Sequence, residues 1–210
     1  MLASTMQPNL DQISGLGGVR GAALARWQAS GWPDAKAESW RFTRLGTAVA
    51  RELAPATDAG QTGREFGRES GAEITAIATE MNAHVIRFYN GMLDIRSLDG
   101  LPGGISATQS LDADFEAIAA EVAELAPTDH PVGNLSLAVM SSGLRLSVKA
   151  GMNVEQPVLL AFEGDGDNVS AHPVVMVDVG IGGAAVIAEW HQSQTGLSAP
   201  LVALRLGNKA

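Results

Sequence analysis

The sequence predicts an α+β N-terminal region followed by an all-β solenoid that opens near residue 131 and is incomplete at its C-terminal end. Three observations predict it. Leu144, Leu146 and Val148 alternate with Arg145, Ser147 and Lys149, the period-two pattern of a half-buried strand, and Gly151 ends the run. The same scheme returns before Gly180 and Gly207, so the three terminal glycines stand 29 and 27 residues apart. A near-fixed period in the range of ~20–50 residues marks stacked units that each bury an apolar face against the next. Charged residues also thin out, from 27 of the first 130 residues to 10 of the last 80, which places a boundary near residue 130. A sandwich or jelly roll, whose strands also recur between glycine turns, is the alternative.

Residues 1–18 are rich in Gly, Ser, Gln and Asn, lack periodicity and are expected to be loose. A helical and mixed domain spans 19–130. It opens with a helix over Val19 to Ala29, stopped by Ser30-Gly31 with Pro33 beyond. Trp32 and Trp40 flank a polar loop and read as a docked segment. Thr47 to Ala54 forms a short helical piece ended by Pro55, and Ala56 to Gly71 is a surface loop of Gly, Thr and Gln. Glu73 to Met81 carries Ile74, Ile77 and Ala78 at helical spacing. His84 to Tyr89 is a strand, and Asn90-Gly91 turns it into a return strand at Met92 to Ile95, because both central residues of such a turn need positive φ.

Gly100 to Gly104 breaks the chain again. Ser110 caps a helix over Leu111 to Leu125, with Asp112 and Asp114 favoured by the dipole of its first turn. Its apolar stripe is Phe115, Ile118, Ala119, Val122 and Leu125. Pro127 to Pro131 is a junction, and 131–210 begins the solenoid core, with a short helix over Asn134 to Ser142 feeding the first strand. Later strands follow at Val158 to Phe162, Val174 to Val179, Ala185 to Ala188 and Leu201 to Leu206.

The formal charge of −9 argues against a nucleic-acid binder, which needs clustered Lys and Arg to neutralise phosphates; 131–210 holds only Arg145, Lys149, Arg205 and Lys209. No run approaches the ~18 consecutive apolar residues of a membrane span. The N-terminus lacks the basic start, apolar middle and small-residue cleavage site of a secretory signal, so the expected location is the cytoplasm. Cysteine is absent, which removes disulfides, thiolate nucleophiles, Cys-ligated zinc and any cysteine-held iron–sulfur cluster from this chain alone.

Several separated motifs, taken in order, resemble the SufB/SufD family of iron–sulfur cluster assembly proteins, and SufD more than SufB. Glu38-Ser39-Trp40-Arg41-Phe42-Thr43 is similar to the family's E-x-W-R/K-Y/F-T element. Val85 to Tyr89 with Asn90-Gly91 resembles its hydrophobic strand ending in N-G, followed by an L-P-G-like stretch at Leu101-Pro102-Gly103. Asn134-Leu135 through Gly143-Leu144 is similar to the short helix before the core. Val148 through Gly151, Glu155, Pro157 and Val158 resembles V-x-x-G-x-x-x-E-x-P-[IV]. His172-Pro173 through Gly180 and Ala184 through Glu189-Trp190-His191 resemble its following strands. The order and spacing over roughly 20 to 210 make the combination specific where each motif alone is not.

The resemblance implies a small helical and mixed domain followed by a right-handed parallel β-helix. It implies a scaffold without catalytic residues, pairing with a SufB-like subunit and a SufC-like ATPase. The cluster would be held only transiently in that complex, with no cofactor bound by this chain alone. Trp40, Asn90, Gly91, Gly151, Pro157 and Gly180 would be structural positions of the family motifs. Family members are about twice this length, so the chain is expected to be truncated before the later coils and the helices that dock the ATPase.

Two other classes of function are open. Glu189 and His191, two apart on a strand, leave the same face, and with His172 they are candidate metal ligands of a cupin-like or solenoid enzyme. A stand-alone β-solenoid module that binds a protein partner is the third reading. The acidic loop Glu163 to Asn168 has oxygen ligands at alternate positions but lacks the flanking helices and twelfth-position Glu of a calcium loop, and reads as an acidic turn. Gly15 to Gly18 has no preceding strand and is a poor nucleotide fingerprint.

Overall fold

Alternation of apolar and polar residues decides which face of each element is buried, and here the runs Val158 to Glu163 and Pro173 to Val177 are buried on both. A computed structural model describes residues 16–33, 36, 38–42, 54–55, 68–110, 114–164, 169–193 and 196–210. In chain order the elements are α1 (Gly18–Ser30), a 3-10 turn at Glu38–Trp40, β1 (Ala54–Pro55), α2 (Arg68–Met81), β2 (His84–Tyr89), β3 (Met92–Leu93) and a 3-10 turn at Ile95–Leu98. They continue with β4 (Ile105–Ser110), α3 (Phe115–Ala123), α4 (Pro131–Ala138), β5 (Ser142–Val148), β6 (Val158–Gly164) and β7 (Val169–Ala171). The chain closes with β8 (Pro173–Val179), β9 (Ile187–Ser193), β10 (Leu197–Ser198) and β11 (Leu201–Leu206).

The strands form three sheets, in the orders β11-β8-β5-β4, β3-β2-β6-β9 and β1-β7-β10. In the first, β5, β8 and β11 run parallel while β4 is antiparallel to β5. In the second, β2, β6 and β9 run parallel and β3 returns antiparallel along β2. The short third sheet is parallel throughout. Each sheet takes strands from both sides of residue 130.

The layering follows from register. Leu144 and Leu146 of β5 and Val175 and Val177 of β8 face Ile86, Phe88, Val158, Leu160 and Phe162 of the second sheet, closing an apolar core between the two. The opposite face of the first sheet, with Val174, Met176 and Ala203, is covered by Ala23 and Trp27 of α1, Phe115, Ile118, Ala119 and Val122 of α3, and Leu135, Leu137 and Ala138 of α4. The opposite face of the second, with Leu159 and Ala161, is covered by Ile74 and Ala78 of α2. The order is helix, sheet, sheet, helix. Strands buried on both faces read as near-continuous hydrophobic runs, as Val158 to Phe162 does.

This layering corrects the expected fold. An all-β right-handed parallel β-helix over 131–210 would leave the outer face of each strand to solvent. The chain is instead mixed α/β: α4 lies inside that region, α1, α3 and α4 cover one sheet, and each of the two large sheets mixes parallel and antiparallel pairing. The repeat spacing reports strands and turns; it carries no information on pairing direction or on which helix covers the outer face.

Local expectations fare differently. Gly31 adopts φ 64° and returns its N–H to Trp27 O (2.7 Å), the glycine stop expected for α1. Asn90 and Gly91, at φ 48° and 82°, make the two-residue turn between β2 and β3. Ser110 does not cap α3: it ends β4, and the helix starts at Phe115. Leu125 lies beyond that helix and is exposed. The helix expected over Asn134 to Ser142 lies earlier, at Pro131–Ala138, because Pro131 fits the first helical position and His130 Nδ1 accepts the Gly133 N–H (3.0 Å). Ala54 and Pro55 pair with β7, and Arg68 to Gly71 belong to α2. The expectations for Thr47 to Leu53, for Ala56 to Gly67 and for most of 1–18 lie outside the described residues. The described helices include none long and apolar enough to cross a membrane.

Candidate functional site

His172 joins β7 to β8 and is fully buried. A buried imidazole needs partners for both nitrogens, and two serines supply them. Ser136 of α4 donates its hydroxyl to Ala199 O (2.8 Å), so it accepts from His172 Nδ1–H (3.1 Å). Nε2 is then the acceptor for the Ser170 hydroxyl, which lies against it. Burial pushes the ring's pKa down from 6.5 to about 3, so the histidine is neutral.

The network reaches the Asn90-Gly91 turn. Ser141 Oγ accepts the His172 backbone N–H (3.1 Å) and donates to Gly91 O (2.8 Å), and Ser142 donates to the same carbonyl (2.7 Å). A Cβ at Gly91 would overlap Ser141 Oγ and lie 3.0 Å from Ala171 Cα, so glycine is required there for space as well as for φ. The Asn90 N–H donates to Glu163 O (2.8 Å). This buried spine ties the hairpin, α4 and all three sheets together.

The other motif positions are also structural. Gly151, at φ 70°, donates its N–H to Ile181 O (2.9 Å). Gly180 donates to Val148 O (2.9 Å), and a Cβ there would come within 2.6 Å of Ala150 N. Pro157 O accepts the His84 N–H (2.8 Å). Trp40 is half-buried with its ring tilted against His130, centroids 5.3 Å apart, and Trp32 meets Trp27 edge-on at 5.9 Å.

Glu189 and His191 lie elsewhere, on the edge strand β9. Both are exposed, and His191 Nε2 lies 3.0 Å from Glu189 Oε2. The His191 ring stacks on Phe162 (centroids 5.0 Å), which stacks on Phe88 (5.0 Å). His172 does not join them, since its ring nitrogens are engaged by Ser136 and Ser170. Among the described residues no group of three His, Asp or Glu side chains converges to hold a metal ion.

Three charged groupings have no signal in the sequence. Arg145 of β5 pairs with Glu121 of α3 and with Asp178 of β8 (2.6 Å), and Arg205 of β11 reaches Asp178 (3.3 Å) and Glu121 (3.4 Å). The hydrogen bond from Arg145 holds the Glu121 carboxyl below its usual value, with the charges of Arg145 and Arg205 adding to it against desolvation. Arg87 pairs with the buried Glu163 (3.0 Å), so that acidic residue is held by an ion pair within the chain; 165–168 of its loop lie outside the described residues. At the other end, Glu116 of α3 accepts the Val19 N–H, so a carboxylate of the chain itself occupies the start of α1 beside Gly17-Gly18. The partners in these pairs stand 24 to 97 residues apart, and no local signal joins them.

The arrangement locks turns and layers; the buried His172 is shielded from solvent, and the exposed Glu189-His191 pair sits on a sheet edge. No protein-family model matches the chain, and no curated protein matches it.

Proposed function

We propose that this chain is a SufD-like scaffold subunit of the SUF iron–sulfur cluster assembly machinery, acting in the cytoplasm with a SufB-like subunit and a SufC-like ATPase. The observation that carries the reading is the ordered set of motifs from Glu38 to His191, kept in sequence and at family-like spacing. The residues of those motifs also have structural employment: Asn90 and Gly91 dock a hairpin, Gly151 and Gly180 stack turns, and Pro157 receives β2. A chain whose motif residues hold backbone together suits a scaffold better than a catalyst.

With no cysteine, the chain supplies no thiolate, and the cluster it helps to build is cargo held by a partner's sulfurs. Deleting the gene in the source cell tests the role. Activities of iron–sulfur enzymes should fall and return when the chain is supplied again. Unchanged activities in the deletion strain would refute it.

A further inference from the structure

Between the end of α1 and the approach to α4 lies a cleft of about 300 Å³, lined by Arg26, Ala29, Ser30, Thr128, Asp129 and Asn134. Arg26 is set in place from beneath. Asn134, only 4% exposed, accepts the Arg26 Nε–H on Oδ1 (2.9 Å), and its own amide donates to Thr128 O (2.9 Å). Both ends of the Asn134 side chain are committed, which fixes its amide and, through Nε, the guanidinium. That contact leaves the two terminal amino groups of Arg26 without a partner among the described residues. Arg87, Arg145 and Arg205, in contrast, each meet a carboxylate of the chain. Asp129 is exposed on the same cleft, and its carboxylate also lacks a partner among the described residues. The two opposite charges share the cleft without pairing with each other. Ala29 and Ser30 end α1, whose last turn carries no basic residue, and the free carbonyls of a helix end favour a cation.

We propose that this cleft binds a small α-amino acid, with its carboxylate on the Arg26 guanidinium and its ammonium between Asp129 and the carbonyl end of α1. A guanidinium presents parallel N–H donors that match a carboxylate, and here the donor plane is fixed before the ligand arrives. A simple anion would leave Asp129 uncompensated beside it, and a simple cation would meet the charge of Arg26. A zwitterion answers both charges at once. The Ser30 hydroxyl gives its proton to Trp27 O (3.3 Å), so its lone pairs remain to receive an ammonium hydrogen. The volume stands at the small end of ligand sites, which run from roughly 300 to 1,000 Å³, and suits a ligand of few atoms.

Titration of the isotope-labelled chain, followed by its amide shifts, tests this independently of the assembly role. The probes are a panel of L-α-amino acids, with acetate and methylammonium as single-charge controls. At least one amino acid should give saturable shifts confined to 26–30 and 128–134, and each control should bind about tenfold more weakly or worse. Arg26→Lys keeps the charge and loses the paired donors, and it should weaken binding by about tenfold or more. Asp129→Asn keeps the shape and loses the charge, and it should weaken binding of the amino acid while leaving that of acetate unchanged or tighter. Asp129 is an exposed loop residue, so this variant stays folded even if Arg26→Lys loosens α1, and the dispersion of the same spectra reports folding. An absence of saturable shifts with every amino acid overturns the proposal. So does acetate binding as tightly as the amino acid, or undiminished amino-acid affinity in the Asp129→Asn chain.

Discussion

His172 stays neutral in the folded chain down to about pH 3, because its buried ring cannot be charged without losing water that nothing replaces. The unfolded chain protonates the same ring near 6.5. Below that pH the unfolded state takes up a proton that the native state refuses, so stability falls as the pH drops from about 6.5 toward about 3. Above 6.5 both states are neutral and the residue adds no slope. The full loss at the acid end is on the order of 4 kcal/mol. Urea midpoints should therefore decline from pH 7 to pH 4. His172→Gln should flatten the part above pH 4.5, where carboxylates do not yet titrate, while costing about 1–3 kcal/mol at pH 7 through disturbed serine partners. An unaltered slope in the variant would show that another group is responsible. The sequence marked His172 as a metal candidate because His, Glu and His recur in neighbouring strands. What it could not show is burial, or that Ser136, 36 residues away, would take one ring nitrogen.

Elements were most legible where a local rule fixes them. Gly31 ends α1, Asn90-Gly91 closes the β2–β3 hairpin, and the Val174 to Val179 and Leu201 to Leu206 runs are β8 and β11. Strand β4 escaped notice because Ile-Ser-Ala-Thr-Gln-Ser carries little apolar weight, and β5 pairing holds it in place. The two-residue strands β1 and β10 have no sequence signal of their own length. The dense run of β6 predicts a strand, and its meaning is that both faces are buried: Leu160 and Phe162 toward the facing sheet, Leu159 and Ala161 toward α2. Leu159→Ala should cost roughly 2–5 kcal/mol. In hydrogen exchange the α2 amides should lose protection ahead of those of β6, since α2 rests on the second sheet through Ile74 and Ala78. Equal loss across both elements would mean that α2 is not a separately docked layer.

The whole molecule is a helix–sheet–sheet–helix stack, and this layering is what the solenoid expectation misses. Glycine spacing identifies turns, whereas layer order depends on which helices cover the outer faces, and α1, α3 and α4 reach the first sheet from both sides of residue 130. Residues 131–210 expressed alone would lack β2 and β4, which border β6 and β5, and should give a collapsed, poorly dispersed amide spectrum. A well-dispersed spectrum from that fragment would show that its strands need neither neighbour. The scaffold reading rests on the ordered motifs and implies two partner proteins, and co-purification addresses that most directly. A tagged SufB-like subunit recovered from the source cell should bring down this chain together with the SufC-like ATPase in near-stoichiometric amounts. Recovery of the SufB and SufC proteins in complex with this chain absent would contradict the account.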